Sequence, residues 1–160
     1  MKKGHYDTDR GMDAIIKELT GLGQYSVKAG IPESTGKEGV DGVTVAQYAA
    51  WNEYGVAKKD GGWHIPPRPF VTGWVENKTE EIKRIQETLV KSVSEGKLTA
   101  EKAVELLGQF AQDGIKQYIK TGDFVSNAES TIRAKNSSTP LIDTGTMMDS
   151  ISFEIKKDGK

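Results

Sequence analysis

The sequence predicts an α+β domain with a small mixed or antiparallel sheet whose strands come from near both ends of the chain. One early stretch and one late stretch alternate apolar with polar residues, as half-buried strands do. Between them, two long apolar stripes at helical spacing are joined by a short polar link, which predicts a central αα-hairpin. Shorter helices complete the fold. A length of 160 residues fits one domain, so we expect a single domain over 1–160.

The first elements are a helix and a strand. Apolar residues recur at helical spacing over Met12–Leu22, and glycines punctuate the end of this stretch. Tyr25–Ile31 then alternates between apolar and polar or glycine positions, which predicts the first strand. Glycines, prolines and charges fill 32–42, so we expect a mobile loop there, with flexible ends at about 1–10 and 157–160.

A second helix and an extended segment follow. Thr44 and Gln47 fit a capping box, in which each side chain binds an amide at the start of the helix. This helix is expected to run to about Tyr54 and to end at Gly55. Residues 65–70 must be extended, because each proline fixes its own φ and moves its predecessor out of the helical region.

The αα-hairpin is expected to begin near Val71. Its first helix ends at Gly96, Thr99 is the N-cap of the second helix, and Gly122 lies at the C-cap. The first stripe comprises Ile82, Ile85, Leu89 and Val93, and the second Val104, Leu107, Phe110, Ala111, Gly114 and Tyr118.

The remainder of the chain is polar until its last strand. Thr131–Lys135 is interpreted as a short strand or a loop, and 140–145 as a compact turn. Thr146–Asp149 is compatible with a single helical turn. Apolar residues at 151, 153 and 155 alternate with polar ones and predict the final strand.

Charge and composition exclude several classes of protein. The 22 basic and 23 acidic residues leave a net charge of −1, so no global field draws the chain to nucleic acid or to an anionic membrane. The absence of cysteine excludes disulfides, a thiol nucleophile and cysteine-ligated metals. No apolar signal segment follows the N-terminus. We expect a soluble protein with no cofactor, no metal, no membrane contact and no specific nucleic acid.

No catalytic arrangement emerges from the sequence. Gly30–Lys37 (GIPESTGK) fails as a phosphate loop, because five residues rather than four separate its glycines. A Ser-His-Asp arrangement would depend on His5 or His64, and His64 is more simply explained as a packed or hydrogen-bonded loop residue. Glu53 is the carboxylate in aromatic company, and a helix-surface position is the favoured interpretation. The protein is therefore not expected to be an enzyme.

The segment 51–74 stands out because it holds all three tryptophans and three of the five prolines. Aromatic side chains on a proline-stiffened strand suit a rigid protein contact, since docking costs little entropy. The same side chains also suit a core beneath the sheet. Both interpretations of Trp51, Phe70 and Trp74 stay open at this point.

Two motifs within the chain resemble those of a known family. Tyr48–Gly55 (YAAWNEYG) followed by Ile65–Phe70 (IPPRPF) resembles the "helix, E-(F/Y)-G, I-P-x-R-P-F" signature of tail-assembly proteins of long-tailed bacteriophages. Pro140–Gly145 (PLIDTG) with Ser150–Ile151 resembles the "P-L-x-D-T-G-x-L-x-x-S-I" element that closes the same proteins. The order of elements matches over roughly Tyr25–Lys156.

The resemblance to this minor-tail, neck or tail-completion family implies a structural role in the virion. Such a protein would join the tail to the head-side connector, with tail termination or another minor-tail role as the alternative. It implies other tail or connector proteins as partners, a homo-oligomeric ring, and the host cytoplasm followed by the virion neck or tail as locations. From other classes, a small hydrolase using His64 with Glu53 or Asp60, and a regulatory module that binds through the αα-hairpin, remain alternatives.

The candidate assembly and motif residues come from the two motifs and the aromatic segment. Arg68 is expected to form a bidentate ion pair, with Asp143 or Glu53 or with a carboxylate of a neighbouring subunit. Asp143 and Thr144 alternatively cap the turn into Thr146. The full set is Trp51, Glu53, Tyr54, Gly55, Ile65, Pro67, Arg68, Pro69, Phe70, Trp74, Pro140, Leu141, Asp143, Thr144 and Gly145.

Overall fold

The computed structural model describes residues 11–34, 42–135 and 139–157, and these form six helices and four strands. Residues 1–10, 158–160 of the predicted flexible end at 157–160, and 35–41 of the predicted loop at 32–42 lie outside the described residues. Lys157, at the start of that predicted end, belongs to the last strand. In chain order the elements are α1 (Met12–Leu22), β1 (Tyr25–Gly30), α2 (Val45–Tyr54), β2 (Val56–Ala57), β3 (Trp63–Ile65), α3 (Thr72–Ser94), α4 (Ala100–Thr121), α5 (Glu129–Lys135), α6 (Thr146–Asp149) and β4 (Ser152–Lys157).

The predicted sheet from near both ends of the chain is confirmed. Strands β1 and β4 pair antiparallel, with Tyr25 opposite Lys157 and Gly30 opposite Ser152. Helix α4 packs against both strands, and the ring of Phe153 lies directly on Gly108 of that helix. Alternation along each strand therefore gives one face packed on α4 and one face toward solvent.

The αα-hairpin is also confirmed, together with the caps that delimit it. Helix α3 packs against α4. Gly96, just after α3, adopts φ +69°, a left-handed conformation that suits glycine. The Thr99 hydroxyl accepts the Lys102 amide at 3.2 Å, and Gly122 is the C-cap of α4. The capping box of α2 forms as predicted between Thr44 and Gln47.

The core lies where α2, the start of α3, the second half of α4 and the segment around α6 meet. Its buried members come from every one of these elements, so that distant parts of the chain form one cluster. They are Val45, Ala49, Phe70, Trp74, Ile115, Ile119, Leu141, Met147 and Ile151.

Two local predictions were wrong or incomplete. Thr131–Lys135 belongs to helix α5, not to a strand or loop. Seven residues make only two turns, too few for an apolar stripe to reveal itself in the sequence. Strands β2 and β3 form a small antiparallel pair on either side of the loop at 58–62. The sequence did not predict this pair, because strands of two and three residues are too short to show an alternating pattern.

Candidate functional site

The first motif contains a cap that α2 supplies to α3. Helix α3 has no side-chain cap of its own at Val71. Instead, the buried carboxylate of Glu53 accepts the amides of Phe70 at 2.8 Å, Val71 at 3.0 Å and Thr72 at 2.9 Å. It also accepts the Thr72 hydroxyl at 2.7 Å. A carboxylate at a helix N-terminus satisfies free amides and interacts favourably with the helix dipole.

This geometry corrects the interpretation of Glu53 as a helix-surface residue. Its side chain is only 6% exposed, and both carboxylate oxygens are occupied by the start of α3. The hydrolase alternative that pairs it with His64 therefore lacks a free carboxylate at this position. Glu53 instead fixes the angle at which α3 leaves the proline segment.

Arg68, in the middle of that segment, is buried and bound to neutral groups. Its Nε donates to the Val125 carbonyl at 2.8 Å, and Nη2 donates to the Ser126 carbonyl and to Asn127 Oδ1, both at 3.2 Å. Nη1 reaches Asn52 Oδ1 at 3.4 Å. Burial lowers the pKa of the guanidinium below its usual range. The planar fork thus joins α2 to the segment before α5.

The expected intramolecular ion pair of Arg68 is wrong. Among the residues that the structure describes, no carboxylate lies within salt-bridge distance of the guanidinium. Glu53 is committed to the start of α3, and Asp143 is exposed. The physical reason is that carbonyl and amide oxygens already occupy the directions in which the fork donates.

The second motif forms a tight turn into α6. Leu141 is buried with φ +63°, a left-handed conformation that costs an ordinary residue about 1–2 kcal/mol. Burial of the leucine side chain stabilises the fold by about 1.5–3 kcal/mol, which offsets the cost of the left-handed conformation. The Thr144 hydroxyl accepts the Thr146 amide at 3.3 Å, which bears out the capping alternative for Thr144. Gly145, at φ +88°, begins the helical turn.

Asn127 connects Arg68 of the first motif to Thr139, the residue that precedes the second motif. It accepts from Arg68 through Oδ1 and donates to the Thr139 carbonyl from Nδ2 at 3.3 Å. Phe70 and Leu141, one from each motif, also share the core cluster. Asn52 and Asn127 were absent from the predicted set, because single asparagines carry no periodic signal and Asn127 lies 59 residues from Arg68.

The aromatic residues divide between core and surface. Phe70 and Trp74 are buried, whereas Trp51 is 40%, Tyr54 71% and Trp63 50% exposed. Trp51 and Tyr54 are three residues apart on α2 and so share a face. Trp63 packs over Gly55, where a Cβ would lie 2.8 Å from its ring. We call Trp51, Tyr54 and Trp63 the aromatic surface.

The other predicted residues lie around this region. Ile65, Pro67 and Pro140 are half-buried, and Pro69 is exposed. A cavity of about 440 Å³ lies beside them, lined by Tyr48, His64 and Arg68 among others. Within 11–34, 42–135 and 139–157, no three histidine, aspartate or glutamate side chains come together as metal ligands would.

No family model, curated protein or solved structure matches the chain. Among the helices described, none is both long enough and apolar enough to span a bilayer.

Proposed function

We propose that this protein is a structural component of a bacteriophage virion, a neck or tail-completion protein that joins the tail to the head-side connector. One observation carries the proposal. The two motifs that resemble tail-assembly proteins lie together: Phe70 and Leu141 share one core, and Asn127 links Arg68 to Thr139, the residue before the second motif. Motifs separated by some 70 residues of chain therefore act as one unit.

The unit is suited to holding a surface in a fixed geometry. Glu53 ties α2 to α3, Arg68 ties the proline segment to 125–127, and the prolines limit backbone motion between them. A protein that joins two large assemblies gains from such rigidity, because little entropy is lost when a preformed surface docks.

The aromatic surface is the contact that we assign to the tail or connector partner. Large, partly exposed aromatic side chains dominate the binding energy of many protein interfaces. Trp51 and Tyr54 are exposed on the helix that Glu53 anchors, and Trp63 packs against Gly55, the residue after Tyr54. The same surface suits the alternative station, a tail terminator or another minor tail protein.

Electron microscopy of particles made without the gene tests the proposal. The gene is deleted from the phage or prophage that carries it, and particles are imaged with and without complementation by the intact gene. We expect full heads separate from unjoined tails; abnormal tail lengths would move the protein to tail termination. Normal, infectious particles would refute the structural role.

A further inference from the structure

The free edge of β4 is a surface that the proposed virion role does not use. Among the described residues, β4 pairs only with β1, and no other described backbone group bonds to 152–157. A two-stranded sheet is small, and Phe153 and Ile155 remain half-buried in it. An unpaired edge of this kind is a template for pairing with another strand.

The charges along β4 select its own copy as the partner. Glu154 and Lys156 are exposed and, two residues apart, lie on the same face of the sheet. A two-fold axis perpendicular to the sheet would place α4 and the α4 of the second copy on the same face of the combined sheet, the face opposite to Glu154 and Lys156. Two registers of that kind pair five residues of the six-residue strand, one centred on Glu154 and one on Ile155.

Only the second of these registers is electrostatically favourable. Centring on Glu154 sets two glutamates opposite each other, which destabilises an antiparallel pair. Centring on Ile155 sets Glu154 opposite Lys156 of the second copy, twice across the axis. We infer that β4 pairs antiparallel with β4 of a second copy about Ile155, forming a symmetric dimer with a four-stranded sheet.

The rest of the sheet is compatible with this pairing. Within one chain Lys28 already lies opposite Glu154, and Ser26 opposite Lys156. Each Glu154 would thus lie between two lysines, and each Lys156 would gain a carboxylate. Because α4 packs on both β1 and β4, the two α4 helices would be about two strand spacings, ~9.6 Å, apart, close to an ordinary helix-packing distance.

The lysines of β4 have a competing explanation, since charged side chains also protect edge strands from pairing. The two explanations differ in what charge reversal does. If the charges only protect the edge, the chain is a monomer and reversal changes nothing. If they specify the pairing, reversing one sign weakens a dimer and reversing all signs restores it.

Sedimentation of the full chain over a concentration series provides the test. We expect the unmodified protein to dimerise reversibly and Lys156→Glu to weaken the dimer at least about fivefold, because both cross-axis pairs become repulsive. The triple variant Lys28→Glu, Glu154→Lys, Lys156→Glu restores every opposite-charge pair and should return to within about twofold of the original. Lys59→Glu, in the exposed loop between β2 and β3, is the matched control.

Two results would overturn the inference. One is a monomer at every concentration with circular dichroism of a folded chain. The other is a dimer that is indifferent to Lys156→Glu; if Trp51→Ala dissociates it instead, the aromatic surface is the self-association surface. Neither result bears on the virion role, which the gene deletion tests separately.

Discussion

At the scale of single residues, Glu53 has a defined structural role in the first motif, because its carboxylate caps the N-terminus of α3. Replacing Glu53 with Gln removes the charge and exchanges one acceptor oxygen for an NH₂ group. That NH₂ group would face the backbone amides at the start of α3, which need an acceptor. We expect Glu53→Gln to lower the free energy of unfolding by about 2 kcal/mol, measured by urea denaturation. Glu87→Gln, at an exposed position of α3, is the control and should change stability by less than about 0.5 kcal/mol. Equal effects of the two variants would show that the α3 cap contributes nothing.

Arg68 is the second residue whose geometry makes a sharp prediction. Lysine keeps the positive charge but cannot reach two carbonyls and two amide side chains in one plane. Arg68→Lys should therefore cost about 2–3 kcal/mol of stability and increase amide exchange around 125–127. Arg84→Lys, exposed on α3, should leave both unchanged. An Arg68→Lys variant with unaltered exchange would mean that charge rather than the fork matters at this position.

The roles of these two residues show where sequence reasoning stops. That Glu53 and Arg68 matter was evident from their motifs, but their partners were not. Glu53 binds amides 17–19 residues away and Arg68 binds groups 57–59 residues away, and those contacts depend on how helices pack rather than on spacing along the chain. An ion pair was the expectation for Arg68 and a helix-surface position the expectation for Glu53, yet both charges are buried and bound to neutral groups.

At the scale of elements, two glycines of α4 show packing overriding helix propensity. A Cβ on Gly114 would lie 2.5 Å from Nε1 of the buried Trp74, and one on Gly108 would overlap the Phe153 ring. Alanine normally favours a helix over glycine by about 1 kcal/mol. Here we expect Gly114→Ala to destabilise the protein by about 1–3 kcal/mol, because the buried Trp74 ring would have to shift to make room for the methyl group.

The control for this prediction lies in α1. A Cβ on Gly21 would contact Ala100 Cβ at 3.7 Å, an ordinary distance, so Gly21→Ala should be neutral or stabilising by up to about 1 kcal/mol. Thermal denaturation of the two variants checks the sign of each change. If Gly114→Ala also stabilises, α4 and Trp74 are packed less tightly than the structure indicates.

Elements with local signals were predicted well, and elements defined by tertiary contacts were not. The caps at Thr44 and Thr99 and the stripes of α3 and α4 are local, and all were found. Helix α5 and the pair β2–β3 are short, and their residues have no periodic pattern. Carboxylates supplied by neighbouring helices were also invisible: as Glu53 caps α3, Glu18 of α1 accepts the Ala100 amide of α4 at 2.7 Å.

At the scale of the whole molecule, the residues that stabilise the fold differ from those proposed to bind a partner. Variants of each set can therefore separate loss of stability from loss of binding. Trp74, on α3, is buried in the core, whereas Trp51 and Tyr54, on α2, are exposed. If the aromatic surface binds the tail or connector, the double variant Trp51→Ala, Tyr54→Ala should keep its unfolding free energy within about 1 kcal/mol. It should nevertheless fail to complement the gene deletion, leaving unjoined tails.

Trp74→Ala is the contrasting variant. It should lose about 3–5 kcal/mol of stability and fail in assembly for lack of folded protein, which the amount of soluble protein would reveal. Full complementation by the stable double variant would exclude Trp51 and Tyr54 as docking residues while leaving the virion role intact. The contact would then have to involve other residues, and the cavity lined by Tyr48, Trp63 and His64 is the next place to alter.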